Sequence, residues 1–469
     1  MGHGGFPVTT GHCRIRDLSM MGVWCWVQWK PRVRAFDDLS ALRRALGPRA
    51  PVLFRSVAAG QQGRFDLLPL VEGEALVVPY PNQPGHAQAL AQLKARLQSM
   101  RLGVNATAAP SESPFEGGCI LYLSYEFASV FEPTVAWRLP ENNEPLAVLW
   151  RAPAVLVRDC ATERCTLNGA PSAESLRALE DADTQNDEIG TLPALFLTED
   201  PPEQFLRGVD RIAAYLQAGD IFQANLSRAW RVQANSVFDP DALFQRLCAA
   251  NPAPFAALLV HAGWALVSSS PERLVSVRNG EVQTRPIAGT RRRDPDPAID
   301  AQLLAELTRD PKERAEHIML IDLERNDLGR VCEPGTVVVD ELGSVETYAH
   351  VHHLVSNVRG RLRANIDAWS LLAAVFPGGT ITGCPKVRCM QIIHELEDHG
   401  RGAYTGSLGY IGDDGSMDFN ILIRSLSLRE GRIVLRAGAG IVADSVATRE
   451  LKETRSKARG MLRALDLDL

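Results

Sequence analysis

Short glycine-bearing turns between strand-like runs constrain this chain more than any other feature. AYTGSLGYI, MDFNILIRSLSL and RIVLRAGAGIV are separated only by GDDGS and REGR. Turns that short join antiparallel strands, because a parallel neighbour needs a crossover of a dozen residues or more. The pattern recurs upstream in IFQANLSRAW, FAALLV, WALVSSS, RLVSV and EVQTRPIA, the last two meeting at an Asn-Gly turn. Helices are predicted around them. EQFLRGVDRIAAYLQAG places Phe205, Val209, Ile212 and Leu216 on one face and stops at Gly219, and Asp310-Pro311 opens PKERAEHIMLIDLERNDLGR. KVRCMQIIHELED and ATRELKETRSKARGMLRAL are the last two. The expected class is α+β, with largely antiparallel sheets and helices packed outside, and not a βαβ nucleotide fold.

At 469 residues the chain has ample length for a core, and its net charge of −6 argues against nucleic acid or anionic lipid as a partner. The nine cysteines are scattered without a C-x-x-C pair, so disulfides and zinc are not expected. GVWCWVQW is too short to span a membrane, which takes about 18 apolar residues, and the expected location is the cytoplasm. Three parts are expected. Residues 1–168 carry ALVVPY, GGCILYLSYEF and the helix HAQALAQLKARLQSM, residues 169–202 form a polar linker or surface connection, and residues 203–469 carry the chemistry.

Glu313 and Glu316 near the start of one helix, and Glu450 and Glu453 near the start of another, are spaced i, i+3, with Lys457 one turn beyond Glu453. Such acids belong either to solvated helix faces or to a site for a hard divalent cation, which takes one or two protein carboxylates when it is magnesium. Gly438 and Gly440 in RAGAGIV leave backbone amides open to an anion, and GGTITGCPK puts Pro385 in the N1 position of a helix. Arg424 inside an apolar strand needs a carboxylate, structural or from a ligand, and Tyr404 on the neighbouring strand is core or a second contact to the same anion. His350, His352 and His353 have the wrong spacing for zinc and suit a single general acid or base; Glu272 follows the strand WALVSSS. Taken together, these describe a pocket for a small molecule with two carboxylates, one of them on a metal.

The segments GDIFQANLSR, SSSPERL, RPIAGT, KERAEHIMLIDLERNDLGRV, HVHHLVSNV, FPGGTITGCPKVRCMQII, YTGSLGY, RAGAGIVADS and KETRSKA, in this order, resemble the chorismate-utilising enzymes. That family includes anthranilate synthase component I, aminodeoxychorismate synthase component I, and isochorismate and salicylate synthases. The resemblance implies two large antiparallel sheets packed orthogonally with helices outside. It implies magnesium on Glu316 and Glu453, with Glu313 and Glu450 beside it, taking the ring carboxylate of chorismate. Backbone amides of Gly438 and Gly440, with Tyr404 and Arg424, would hold the enolpyruvyl carboxylate, and Lys457 and the Gly289-Thr290 turn would line the same site. Glu272 would be the general acid for the carbon-4 hydroxyl, and His353 the active-site histidine.

Water-using members have a lysine base where this chain has Gln223, and Thr380 also matches the ammonia users, so ammonia is the expected nucleophile. Many aminodeoxychorismate synthases have lysine in the middle of Pro-Ile-x-Gly-Thr, where anthranilate synthases, like this chain at Ala288, have alanine. The N-terminal FRSVAAGQQGRFDLL instead resembles aminodeoxychorismate synthases, with Arg55 where anthranilate synthases carry the glutamate of a tryptophan-inhibition site. The expected reaction is the aminodeoxychorismate branch, through noncovalent 2-amino-2-deoxyisochorismate, with ammonia from a glutamine amidotransferase subunit in a heterodimer. The alternatives are anthranilate synthase component I and, from another class, a noncatalytic metal-dependent anion-binding regulator. Arginines 291 to 293 are expected as a solvated rim.

Overall fold

The computed structural model describes residues 39–57, 63–103, 113–183, 192–348 and 351–468. GVWCWVQW and His350 lie outside these, as does part of the FRSVAAGQQGRFDLL stretch. Among the described residues every pair of strands is antiparallel, and the 19 strands there form one hydrogen-bonded network.

Two long strands, Phe65–Val78 and Ala147–Asp159, organise that network. They pair along their length, with register shifts from Leu70 to Glu72 and from Glu72 to Leu76. Such shifts bend a strand and raise its twist, which lets one pair serve two sheets. The early half of Phe65–Val78 pairs with Val52–Arg55, which leads through Phe255–His261, Trp264–Ser270, Ser425–Arg429 and Arg432–Ile441 to Gln223–Ala234. The early half of Ala147–Asp159 pairs with Gly118–Leu123, which leads through Ser407–Gly412, Met417–Asn420, Arg273–Arg278 and Glu281–Thr284 to Val351–Arg361.

Strand Gly118–Leu123 is buried throughout, which its period-two geometry explains. Ile120 and Tyr122 meet Trp264 and Leu266 in a layer between the sheets. Cys119, Leu121 and Leu123 point the other way, to a core shared with Leu93, Ile321, Leu371 and Met390 of outer helices. On the opposite outer face Phe244, Leu247, Met461 and Leu462 cover the first sheet. Covering both faces of central strands such as Gly118–Leu123 and Trp264–Ser270 removes the polar alternation that antiparallel strands usually carry, while outer strands such as Leu195–Glu199 and Val338–Thr347 keep an exposed side.

Several boundaries differ from the sequence reading. EVQTRPIA breaks at Pro286 into Glu281–Thr284 and Ile287–Arg292, since proline cannot donate to a ladder. MDFNILIRSLSL is two strands, Met417–Asn420 and Ser425–Arg429, and Arg424 sits between them at φ +54 rather than inside a strand. Tyr404 lies in the turn before Ser407–Gly412. Pro385 occupies the position just before helix Lys386–Leu396 rather than its first turn. Residues 169–202 hold helix Ala173–Asp181, capped by Ser172, and strand Leu195–Glu199. Helices Pro240–Ala250 and Pro297–Arg309 start at the same Asp-Pro signal as Pro311–Gly329, with Asp239 and Asp296 accepting from backbone N–H groups of the first turn. No helix among the described residues is long and apolar enough to cross a membrane.

Candidate active site

Strand Arg432–Ile441 pairs with Gln223–Ala234 along its length, so Gly438 and Gly440 face Ser227 and Asn225. The two glycines are needed for close approach. A Cβ on Gly438 would lie 2.5 Å from Asn225 Oδ1 and 2.8 Å from Tyr404 Oη, and one on Gly440 would lie 2.6 Å from Gln223 Nε2 and 3.5 Å from Glu316 Oε1. Gln223 also pairs with Cys384, which draws the GGTITGCPK segment to the same strand end. Residues 161 positions apart in the sequence thus share one wall.

Glu272 leaves strand Trp264–Ser270 through Pro271 and is buried, not an exposed turn residue. Thr380 Oγ1 donates to its Oε1 at 2.7 Å. Burial pushes the Glu272 carboxyl up to about 7, against the opposing pull of Thr380, the Ile287 N–H, Lys457 and Arg424. A carboxylic acid that keeps its proton near neutrality can give it to a leaving oxygen.

His353 is buried opposite Thr290, whose Oγ1 lies 2.8 Å from its Nδ1. Burial, with Arg424 adding to it, pulls the imidazole down to about 4, so the ring is neutral at neutral pH and serves as a hydrogen-bonding group rather than a cation. Gly289 takes φ +64 in the bulge between Ala288 and Thr290, and a Cβ there would lie 2.8 Å from Glu313 Oε2. Arg424 makes no ion pair among the described residues, and burial pulls its guanidinium below its ordinary value despite Tyr404, Glu453 and Glu272 nearby. Such an arginine has its donors available to an anionic ligand.

Among the described residues no group of three or more His, Cys, Asp or Glu is placed to hold a metal. Arg291 Nη1 holds Glu313 at 2.8 Å, Lys457 Nζ holds Glu453 at 2.6 Å, and Glu450 is buried one turn before Glu453. Lys457 also donates to Gly438 O at 3.1 Å. Glu316 borders Gly440, and Glu453 is tied to Gly438 only through Lys457; two carboxylate donors would suit magnesium, which fills its remaining positions with water and substrate oxygens. Arginines 291 to 293 form a partly solvated rim held by ion pairs: Arg291 also pairs with Asp310, the exposed Arg292 with Asp294 and Arg293 with Asp300.

Sequence reasoning did not single out the support behind Tyr404. Arg401 lies over its ring at 5.6 Å and bonds Glu397, which also accepts from Arg436. Glu126 accepts from the backbone N–H groups of Arg401 and Gly402, and Glu144 from that of Ala403. Burial pushes both carboxyls up to about 7. Asn225 was also passed over; its signal in the sequence is the i, i+2 spacing from Gln223, which puts both on one strand face. Nor did the buried Glu324 stand out, whose carboxyl burial and Asp327 push up to about 8 and whose Oε1 lies 3.4 Å from a Cβ built on Gly379.

The family model of chorismate binding enzymes matches residues 60–463. An anthranilate synthase component I-like protein of Synechocystis is 43% identical over 373 residues, 76% of this chain and 74% of that protein. An anthranilate synthase component 1 of Streptomyces coelicolor is 40% identical over 82% of this chain and 79% of that protein. An aminodeoxychorismate synthase component 1 of Bacillus subtilis is also 40% identical, over 75% and 78%. The crystal structure of anthranilate synthase component I from Streptococcus pneumoniae superposes with a TM-score of 0.72 at 30% identity, covering 86% of this chain and 93% of that one. With the match spanning all but the first strand of the two sheets and every residue of the Glu272 site, the chain belongs to the chorismate-binding enzymes and acts on chorismate.

Proposed function

We propose that this chain is an aminodeoxychorismate synthase component I, which replaces the carbon-4 hydroxyl of chorismate by an amino group supplied as ammonia by a glutamine amidotransferase subunit. The observation that carries ammonia as nucleophile is Gln223, a buried amide at the end of its strand beside Gly440. An amide takes no proton from water, whereas ammonia attacks without a base.

In this reading Glu272 gives its proton to the departing carbon-4 hydroxyl, which leaves as water. A first ammonia adds at carbon 2 in the same step. A second then adds at carbon 4 and expels the first, so the net change is one ammonia taken up and one water released. Ala288, 3% exposed and next to the Gly289 bulge, offers no amine of its own, in keeping with a nucleophile from solution. Tyr404 and Arg424 bind the enolpyruvyl carboxylate with the Gly438 and Gly440 amides, while Lys457 and Thr290 line the site and neutral His353 orients the ring. Glu316 and Glu453, with Glu313 and Glu450 beside them, would hold magnesium, which supplies charge for the ring carboxylate when bound.

Arg55 favours the carbon-4 product. It and Arg158 lie 3.6 and 3.9 Å from the buried Asp66, which accepts from the Ser56 N–H at 2.8 Å. A closed ion pair thus fills the place where anthranilate synthases carry the glutamate of their inhibitor site. The second reading, anthranilate synthase component I, is favoured by Ala288. Mass spectrometry of the product from chorismate, ammonium and magnesium separates them: 4-amino-4-deoxychorismate without pyruvate is expected, and anthranilate with equimolar pyruvate would refute it.

A further inference from the structure

The ammonia reading leaves open where the nucleophile sits before it attacks. Two amide oxygens in the site, Gln223 Oε1 and Asn225 Oδ1, are buried and have no hydrogen-bond donor among the described residues. A buried oxygen without a donor costs about 1–3 kcal/mol, which a ligand donor would remove.

The two residues are two apart on one strand, so their side chains leave the same face. Both side chains lie against the glycine pair: Asn225 Oδ1 would be 2.5 Å from a Cβ on Gly438, and Gln223 turns its Nε2 to Gly440, 2.6 Å from a Cβ there, with its oxygen on the other side of the amide. The Asn225 backbone is fixed on both sides, its N–H donating to Thr382 O at 2.9 Å and its carbonyl accepting from Arg401 Nη2 at 2.7 Å. The side chain therefore cannot turn away by a backbone shift without breaking those bonds.

We propose that Asn225 and Gln223 form the seat for ammonia, their amide oxygens accepting two N–H bonds and leaving its lone pair directed at the substrate carbon. Ammonium would donate to the same oxygens but has no lone pair with which to attack, and Lys457, which donates to Gly438 O on the neighbouring strand, adds like charge nearby. Water brings the same two donors but needs a base that neither amide provides. The remaining donor that reaches these oxygens is a hydroxyl of the substrate, and that possibility is what the experiment separates. The inference rests on the ammonia-using function proposed above.

Initial rates are measured with the full chain at fixed, mildly alkaline pH and saturating magnesium, varying ammonium and chorismate in turn. In Asn225→Ala, loss of one acceptor raises the apparent KM for ammonia about three- to tenfold and leaves that for chorismate unmoved. Asn225→Asp, which retains an acceptor oxygen, regains part of that loss. If Asn225→Ala has no thermal unfolding transition, Asn225→Leu, similar in volume and lacking an acceptor, carries the same expectation. A raised KM for chorismate alone would assign the oxygen to the substrate hydroxyl and overturn the seat. Equal change in both constants, or in kcat alone, would make Asn225 structural and overturn it too. A wild-type chain that converts chorismate with water and not with ammonia would refute the proposed function, and the seat with it.

Discussion

Glu272→Gln is expected to stabilise the fold at alkaline pH while it depresses turnover. Burial raises the carboxyl from an ordinary 4.5 to about 7 in the folded chain. Below the ordinary value both folded and unfolded chains hold the proton, and the group has no effect on stability. Between the two values the folded chain holds a proton that the unfolded chain has lost, so stability falls as pH rises. Above about 7 the whole penalty applies, and at about 1.4 kcal/mol per unit it comes to about 3 kcal/mol. Glutamine does not titrate. Its oxygen can keep the Thr380 hydroxyl, but its amide nitrogen meets the Ile287 N–H, a loss that is the same at every pH. Urea unfolding followed by tryptophan fluorescence, from about pH 5 to about pH 8.5, reads the difference between variant and wild type. Part of the penalty is already present at about pH 5, so that difference should shift in favour of the variant by about 2.5 kcal/mol across the range. A difference that stays flat with pH would refute the buried, protonated state of Glu272 and with it the general-acid role.

Two further outcomes follow from the same geometry. Thr380→Val removes the hydroxyl that favours the ionised form of Glu272, so the alkaline limb of the rate profile should move to higher pH; an acidward move would count against the 2.7 Å bond as the controlling contact. Glu397→Ala leaves Arg401 and Arg436 buried without their shared carboxylate and should cost about 3–5 kcal/mol in denaturant unfolding, whereas a loss under about 1 kcal/mol would mean that neither guanidinium depends on it.

The architecture was legible where local chemistry decides it. The Asn279-Gly280 turn and the Asp310-Pro311 helix start depend on backbone preferences that neighbouring residues carry. Arg424 was misplaced because its apolar neighbours predict a strand, while the chain turns there with φ +54 between two strands that pair with different partners. Within the site, the motifs carried Glu272, Thr380, Tyr404 and Gly438 to one place, and the strand pairing brings Gly438 beside Asn225. The pairing of Glu313 with Arg291 was not legible, because their 22-residue separation gives no periodic signal and depends on how a helix docks on a bulged strand. The missing donors of Gln223 and Asn225 were equally hidden, since an absent partner can be identified only once every neighbour has a position.

Glu126 and Glu144 come from the first third of the chain, yet they grip the backbone that carries Tyr404. The wall that carries Tyr404 is therefore clamped from outside the segment that bears the motifs. A fragment that begins at residue 203 would keep all the proposed chemical groups and lose the hands that hold one of them in place. Drift in the early sequence thus has a route to tune catalysis without altering any residue that meets the substrate.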